Sequence, residues 1–119
     1  FSYQRSNYLA SVVTYSGGHI VFNGFDTTST TSVDPANHFA ALIFHGGPQD
    51  VVVIPFKDGS EAYSDHLRSN GHLTVLCDHG SGHTIPNAAV GSVWQFFMDH
   101  PYKRDPSPYA SGLPSGFPA

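Results

Sequence analysis

His83 stands in Cys77 to Pro86, CDHGSGHTIP, where two histidines, small residues and a proline directly follow an apolar run. Its imidazole is a candidate metal ligand, core residue or general base. Asp50 stands 33 residues earlier in HGGPQDVVV, and it too follows an apolar run. A carboxylate that orients a histidine ring leaves the far ring nitrogen free to take a proton, which is two thirds of a hydrolytic triad. The missing third is a nucleophile, for which Ser2, Ser16 and Ser81 are weak candidates. Ser2 lacks flanking glycines, Ser16 ends an apolar run before Gly17 and Gly18, and Ser81 lies two residues from His83, too close along the chain for the usual orientation.

The elements that must position these residues are legible as apolar runs. Leu9 to Tyr15, Ala40 to Phe44 and Leu73 to Cys77 are continuous rather than alternating, the pattern of strands covered on both faces in a parallel sheet. Between the second and third runs, KDGSEAYSDHLRSNG predicts a helix with Ser60 as N-cap, Tyr63 and Leu67 on one face, and Asn70-Gly71 as the stop. After the third run, Asn87 is expected to cap a helix that His100-Pro101 ends. Val90, Val93, Trp94 and Phe97 are its expected core face, with Phe96 turned towards the tail or a missing half. The architecture is therefore α/β, a three-layer open parallel sheet in one domain spanning residues 1–119. Residues 102–119 read as an extended Pro/Gly-rich strap resting on the body through Tyr109, Leu113 and Phe117. The long segment Gly17 to His38 has no helical period and reads as a functional or mobile loop.

In open α/β sheets, functional residues gather beyond the carboxyl ends of the strands, and both Asp50 and His83 fall there on neighbouring loops. The run HGGPQDVVVIPF, a helix ending LRSNGH, a strand, GSGHTIP and a helix reading VWQFFMDHP resemble the C-terminal half of an α/β-hydrolase. The resemblance is to the polyhydroxybutyrate depolymerase, feruloyl esterase and acetylxylan esterase group, and runs from about Tyr8 to about Pro101. It implies a partial α/β-hydrolase fold, with Asp50 as triad acid and His83 as triad base. The Gly-x-Ser-x-Gly nucleophile motif of that group does not occur, and Ser16 matches a structural position of the family. The nucleophile and oxyanion hole are expected on a segment preceding Phe1, so the chain reads as a truncated hydrolase or one piece of a larger molecule.

Composition narrows the alternatives. Five Lys and Arg against nine Asp and Glu give a formal charge of −4, which argues against nucleic acid as a partner. No run is long enough to span a membrane, and low Lys with abundant Ser and Thr leans towards a secreted protein. Eight histidines, among them His19, His38, His45 and His79, raise the question of a metal, but no Glu or Cys recurs at ligand spacing, and neither metal nor cofactor is expected. His45 reads as a packing or loop-orienting residue, His79 has no assigned role, and Cys77 reads as a small core residue.

Two readings follow. The first is a carboxylic-ester hydrolase of feruloyl or acetyl esterase type, acting on a small or polysaccharide-linked ester. The second is a non-catalytic hydrolase fragment that binds or self-associates. Its partner is a second chain carrying the N-terminal half, or another copy of itself.

Overall fold

The computed structural model describes all 119 residues. In chain order its strands are β1 (Ser11–Tyr15), β2 (Val21–Phe22), β3 (Phe25–Asp26), β4 (Ala40–His45), β5 (Val51–Val52), β6 (Ile54–Pro55) and β7 (Thr74–Asp78). Helix α1 spans Phe56–Ser69 and α2 spans Val90–Asp99. The three apolar runs of the sequence form a parallel sheet in the order β1-β4-β7. The central strand explains its composition: all six residues of β4 are buried, so neither face can carry a polar alternation.

Each sheet face has its own helix. On one face Tyr63 and Leu67 of α1 pack with Phe39, Ala41 and Ile43, as their four-residue spacing requires. On the other face Ala89 and Phe96 pack with Leu42, Phe44, Val75 and Cys77. The result is an α/β domain of three layers, helix, sheet and helix.

Three expectations need correction. Helix α1 begins at Phe56 behind Pro55, so Ser60 is a buried interior residue and not the cap. Gly59 is inside the first turns, where the chain of residue 19 crosses: its amide donates to the Gly59 carbonyl at 3.0 Å. A Cβ on Gly59 would lie 2.3 Å from the His19 carbonyl oxygen, so a side chain is sterically barred.

The second correction concerns α2, whose buried face is one residue away from the expected one. Ala89, Val93, Phe96 and His100 turn inwards, with Phe96 fully buried, while Trp94 is 68% exposed and Val90 and Phe97 also face out. A short 3-10 turn over Asn87–Ala89 precedes the helix, and Asn87 makes no side-chain cap. The turn places Ala89 against the sheet, and every later helical position follows from that anchor.

Third, the segment 17–38 contains a small hairpin, β2-β3, closed at Asn23-Gly24. Both turn residues have positive φ, 49° and 78°, which Asn and Gly tolerate and which a two-residue hairpin loop demands. The C-terminal strap is anchored by Tyr109, which is buried against Phe96 and His100, while Leu113 remains exposed.

Candidate active site

The carboxyl ends of β4 and β7 open onto two loops that touch. Beyond β4, a 3-10 turn over Gly47–Gln49 delivers Asp50, and beyond β7 the chain runs through Gly80 and Gly82 to His83. Gly82 donates its amide to the Gly46 carbonyl at 3.0 Å, and His79 does the same to the His45 carbonyl at 3.0 Å. These two backbone bonds fix one loop on the other. Gly82 sits at φ 70°, in the left-handed region, and a Cβ on Gly46 would fall 1.9 Å from the Gly82 carbonyl oxygen.

On that platform His83 Nδ1 meets Asp50 Oδ1 at 2.9 Å. Asp50 has no exposed surface, and its other oxygen accepts the Gly46 amide at 2.9 Å. Burial by itself would raise the pKa of this carboxyl. The Gly46 amide, the Ser16 hydroxyl and the His83 ring outweigh burial and hold it below the ordinary carboxylate range. Asp50 is therefore ionised at neutral pH, and an ionised acceptor places the ring proton of His83 on Nδ1. Nε2 is left as the free acceptor, and it has no partner within the chain. Phe56, the first residue of α1, stacks on the imidazole with centroids 4.8 Å apart and planes at 22°. Acid below and ring alongside leave the imidazole one working direction, into an open depression of about 430 Å³ lined by Tyr15, Ser16, His83, Thr84 and Ile85.

The three serines are placed differently. Ser16 lines the same depression, where its hydroxyl helps to lower the pKa of Asp50, and its backbone is held at φ 48°. Ser2 is buried and accepts the Tyr63 hydroxyl at 2.8 Å. Ser81 is exposed and donates to the His79 carbonyl at 3.1 Å. None of them is hydrogen-bonded to His83.

The remaining histidines do not gather at one place: His19 neighbours His66, and His38 neighbours His72 elsewhere. His45 is buried and its Nδ1 accepts the Gly47 amide at 3.1 Å, which shapes the loop that carries Asp50. His19 is bound to Tyr3 and Asp26, while His38 lies against His72 beside the amino ends of the strands. No group of three or more His, Cys, Asp or Glu is arranged to hold a metal ion. Cys77 is buried and its thiol is pushed up to about 12 by desolvation, which makes it an unreactive core residue.

The chain matches no family model, no curated protein and no solved structure. The site must therefore be read from its own geometry. The site includes three contributors not singled out in the sequence: the Gly46–Gly82 contact, the influence of the Ser16 hydroxyl on the Asp50 carboxyl, and the Phe56 ring on His83. Paired glycines in both loops, adjacent in HGG and one residue apart in GSG, are the one signal that could have pointed to the first. No helix is long and apolar enough to cross a membrane.

Proposed function

We propose that this chain supplies the acid and base of a carboxylic-ester hydrolase of the α/β-hydrolase type, related to the feruloyl and acetyl esterases. The observation that carries this reading is the 2.9 Å bond from His83 Nδ1 to a fully buried, ionised Asp50, with Nε2 unpartnered on a half-exposed ring. A serine hydroxyl placed at Nε2 loses its proton to His83 as its oxygen attacks the ester carbonyl. The same proton then passes from His83 to the departing alkoxide, and Asp50 stabilises the imidazolium in between. Water repeats the sequence to free the acid. Gly-x-Ser-x-Gly is absent from these 119 residues, so the reading puts the nucleophile and oxyanion hole on a polypeptide segment outside them.

The test is fluorophosphonate labelling and p-nitrophenyl acetate hydrolysis by this chain, alone and together with the material that accompanies it in its source. Labelling of an accompanying or longer polypeptide, with hydrolysis lost in His83→Ala, is the expected result. Hydrolysis that persists in His83→Ala removes this chain from the chemistry.

A second reading, a fragment that acts by association, is supported by the free edge of β1. Ser16 donates to Phe44 and Ala10 accepts from Ala40, so alternate residues of β1 face β4. Ser11, Val13 and Tyr15 then turn their amides and carbonyls to the unpaired edge, a row that another strand can extend. Val90, Trp94 and Phe97 add an exposed apolar stripe on α2. Sedimentation separates the readings: a chain that stays monomeric at high concentration and takes up no second polypeptide argues against association.

A further inference from the structure

The end of the sheet opposite Asp50 and His83 has its own cleft. Ala40 opens β4 and Leu73 precedes β7, and both line a cavity of about 390 Å³ at the amino ends of these strands. This volume is within the range of small-molecule sites. Its walls carry Arg68, Arg104, His38 and His72, with Asp105 as the one acid. A smaller depression beside it shares His38 and Asp105 and brings in Lys103 together with a second acid, Asp34. The chain has only five Lys and Arg and a net charge of −4, so three of its five permanent cations surround one region.

These charges have not been spent inside the chain. Neither arginine forms an ion pair, and the four ion pairs present leave Asp105 unpaired as well. Arg68 gives Nε and one terminal nitrogen to the Thr74 carbonyl at 3.4 and 3.2 Å, which aims the guanidinium and leaves Nη1 unused. The side chain of Arg104 makes no hydrogen bond in the chain. His72 turns Nδ1 to the Phe39 carbonyl at 3.2 Å, so its Nε2 has no partner. His100, also in the wall, has both nitrogens occupied, by the Phe96 carbonyl and the Ser107 hydroxyl. Burial first, and then the neighbouring His38 and His66, lower the pKa of His72 despite the opposing Phe39 carbonyl. Burial and then Arg104 act in the same direction on His100, despite the opposing Phe96 carbonyl and Asp99. In the cleft itself two arginines stand against the single carboxylate of Asp105.

We propose that this cleft is a second binding site, for a small oxyanion-bearing molecule held by the guanidiniums of Arg68 and Arg104. Forked N–H donors match a carboxylate or a phosphate, and charge-assisted bonds of that kind are stronger than neutral ones. An anion here also favours the protonated form of His72, which then adds Nε2–H as a donor. The small apolar floor of Ala10, Ala40 and Leu73 accommodates the uncharged part of the molecule. The site is independent of the ester chemistry at the other end of the sheet.

The experiment is a titration followed by the imidazole proton resonances of the 119-residue chain, at constant ionic strength set with sodium chloride. Benzoate, inorganic phosphate and the neutral isostere benzamide are the three probes. Benzoate, phosphate or both are expected to shift His38 and His72 saturably while His83 stays still, and benzamide to do nothing. Saturation by benzoate alone identifies a carboxylate site, and by phosphate alone a phosphate site. Both arginines are exposed, and the double variant Arg68→Gln, Arg104→Gln is expected to bind about tenfold more weakly or worse. The proposal is overturned if neither anion saturates the shifts, if benzamide matches benzoate, or if a folded double variant binds as well as the parent. The comparison of benzoate with benzamide needs no variant, so a misfolded double variant leaves the test intact.

Discussion

The backbones of Gly46 and Gly82 meet with no room for a side chain between them, and this contact sets the distance between the acid and the base. The Gly82 amide is 3.0 Å from the Gly46 carbonyl, and a Cβ on Gly46 would overlap the Gly82 carbonyl oxygen. Gly46 itself has an ordinary φ of −95°, so the constraint there is space and not conformation. Gly46→Ala should therefore push the His83 loop away. The expected cost is about 1–3 kcal/mol of stability. Denaturant unfolding measures that cost, and loss of the downfield Nδ1–H resonance of His83 reports the broken contact with Asp50. A variant that keeps both unchanged would show that the loops are not so tightly seated.

Asp50 predicts a pH dependence with a definite sign. Its folded pKa lies below the unfolded value, so the folded state binds this proton less readily than the unfolded chain does. The stability it contributes is full above the unfolded carboxyl pKa of about 4 and is lost as pH falls through the lower folded value. Asp26 is lowered too, so acid unfolding of the parent chain mixes both groups. The difference in stability between the parent and Asp50→Asn should be largest near neutrality and shrink below about pH 4. Urea midpoints measured from pH 2 to 7 on both proteins test this, and a difference that grows on acidification contradicts it.

Helix α2 separates two large apolar side chains two positions apart. Phe96 is fully buried in the core, whereas Trp94 is largely exposed. Phe96→Ala should cost about 3–5 kcal/mol, since it removes a buried ring and leaves a cavity. Trp94→Ala should stay within about 0.5 kcal/mol in the isolated chain. Chemical denaturation of both variants checks the register. A large loss from Trp94→Ala at high dilution would restore the face expected from the sequence.

Buried Tyr3 and His19 and the exposed Asp26 form a hydrogen-bonded chain that ties the N-terminus to the β2-β3 hairpin. The Tyr3 hydroxyl is 2.7 Å from His19 Nε2, and His19 Nδ1 is 2.5 Å from Asp26. Asp26 fixes the ring proton on Nδ1, so the tyrosine donates to Nε2. Tyr3→Phe leaves Nε2 without a partner in a buried site, at a cost of about 1–3 kcal/mol. Thermal unfolding should shift down accordingly, and faster amide exchange in residues 1–5 should accompany it. An unchanged Tm would mean that water replaces the hydroxyl without loss.

The apolar runs gave away the sheet because β4 is buried on both faces and leaves no room for polar alternation. The placement of Asp50 and His83 at neighbouring strand ends followed from counting elements. The register of α2 did not follow, since Val90, Trp94 and Phe97 form as regular an apolar stripe as Ala89, Val93 and Phe96. What decides between them is the 3-10 turn that seats Ala89 on the sheet, a tertiary event. The start of α1 differs for a similar reason: Ser60 suits a cap by residue type, but the helix begins at Phe56 and the passing backbone of His19 packs on Gly59 within it. The hairpin at Asn23-Gly24 carried its own signal, an Asn-Gly turn flanked by Phe22 and Phe25, hidden inside a segment otherwise rich in Thr and Ser.

His100 accepts no substitute easily, since one imidazole grips both the end of α2, through the Phe96 carbonyl at 2.8 Å, and the strap, through the Ser107 hydroxyl at 2.6 Å. Tyr109 packs edge-on against the same ring and reaches back to Asp99 at 2.9 Å. The last helical turn and the strap therefore share a single fastening. Neither can fray without the other, and they should open to solvent and to proteases as one cooperative unit with one free energy.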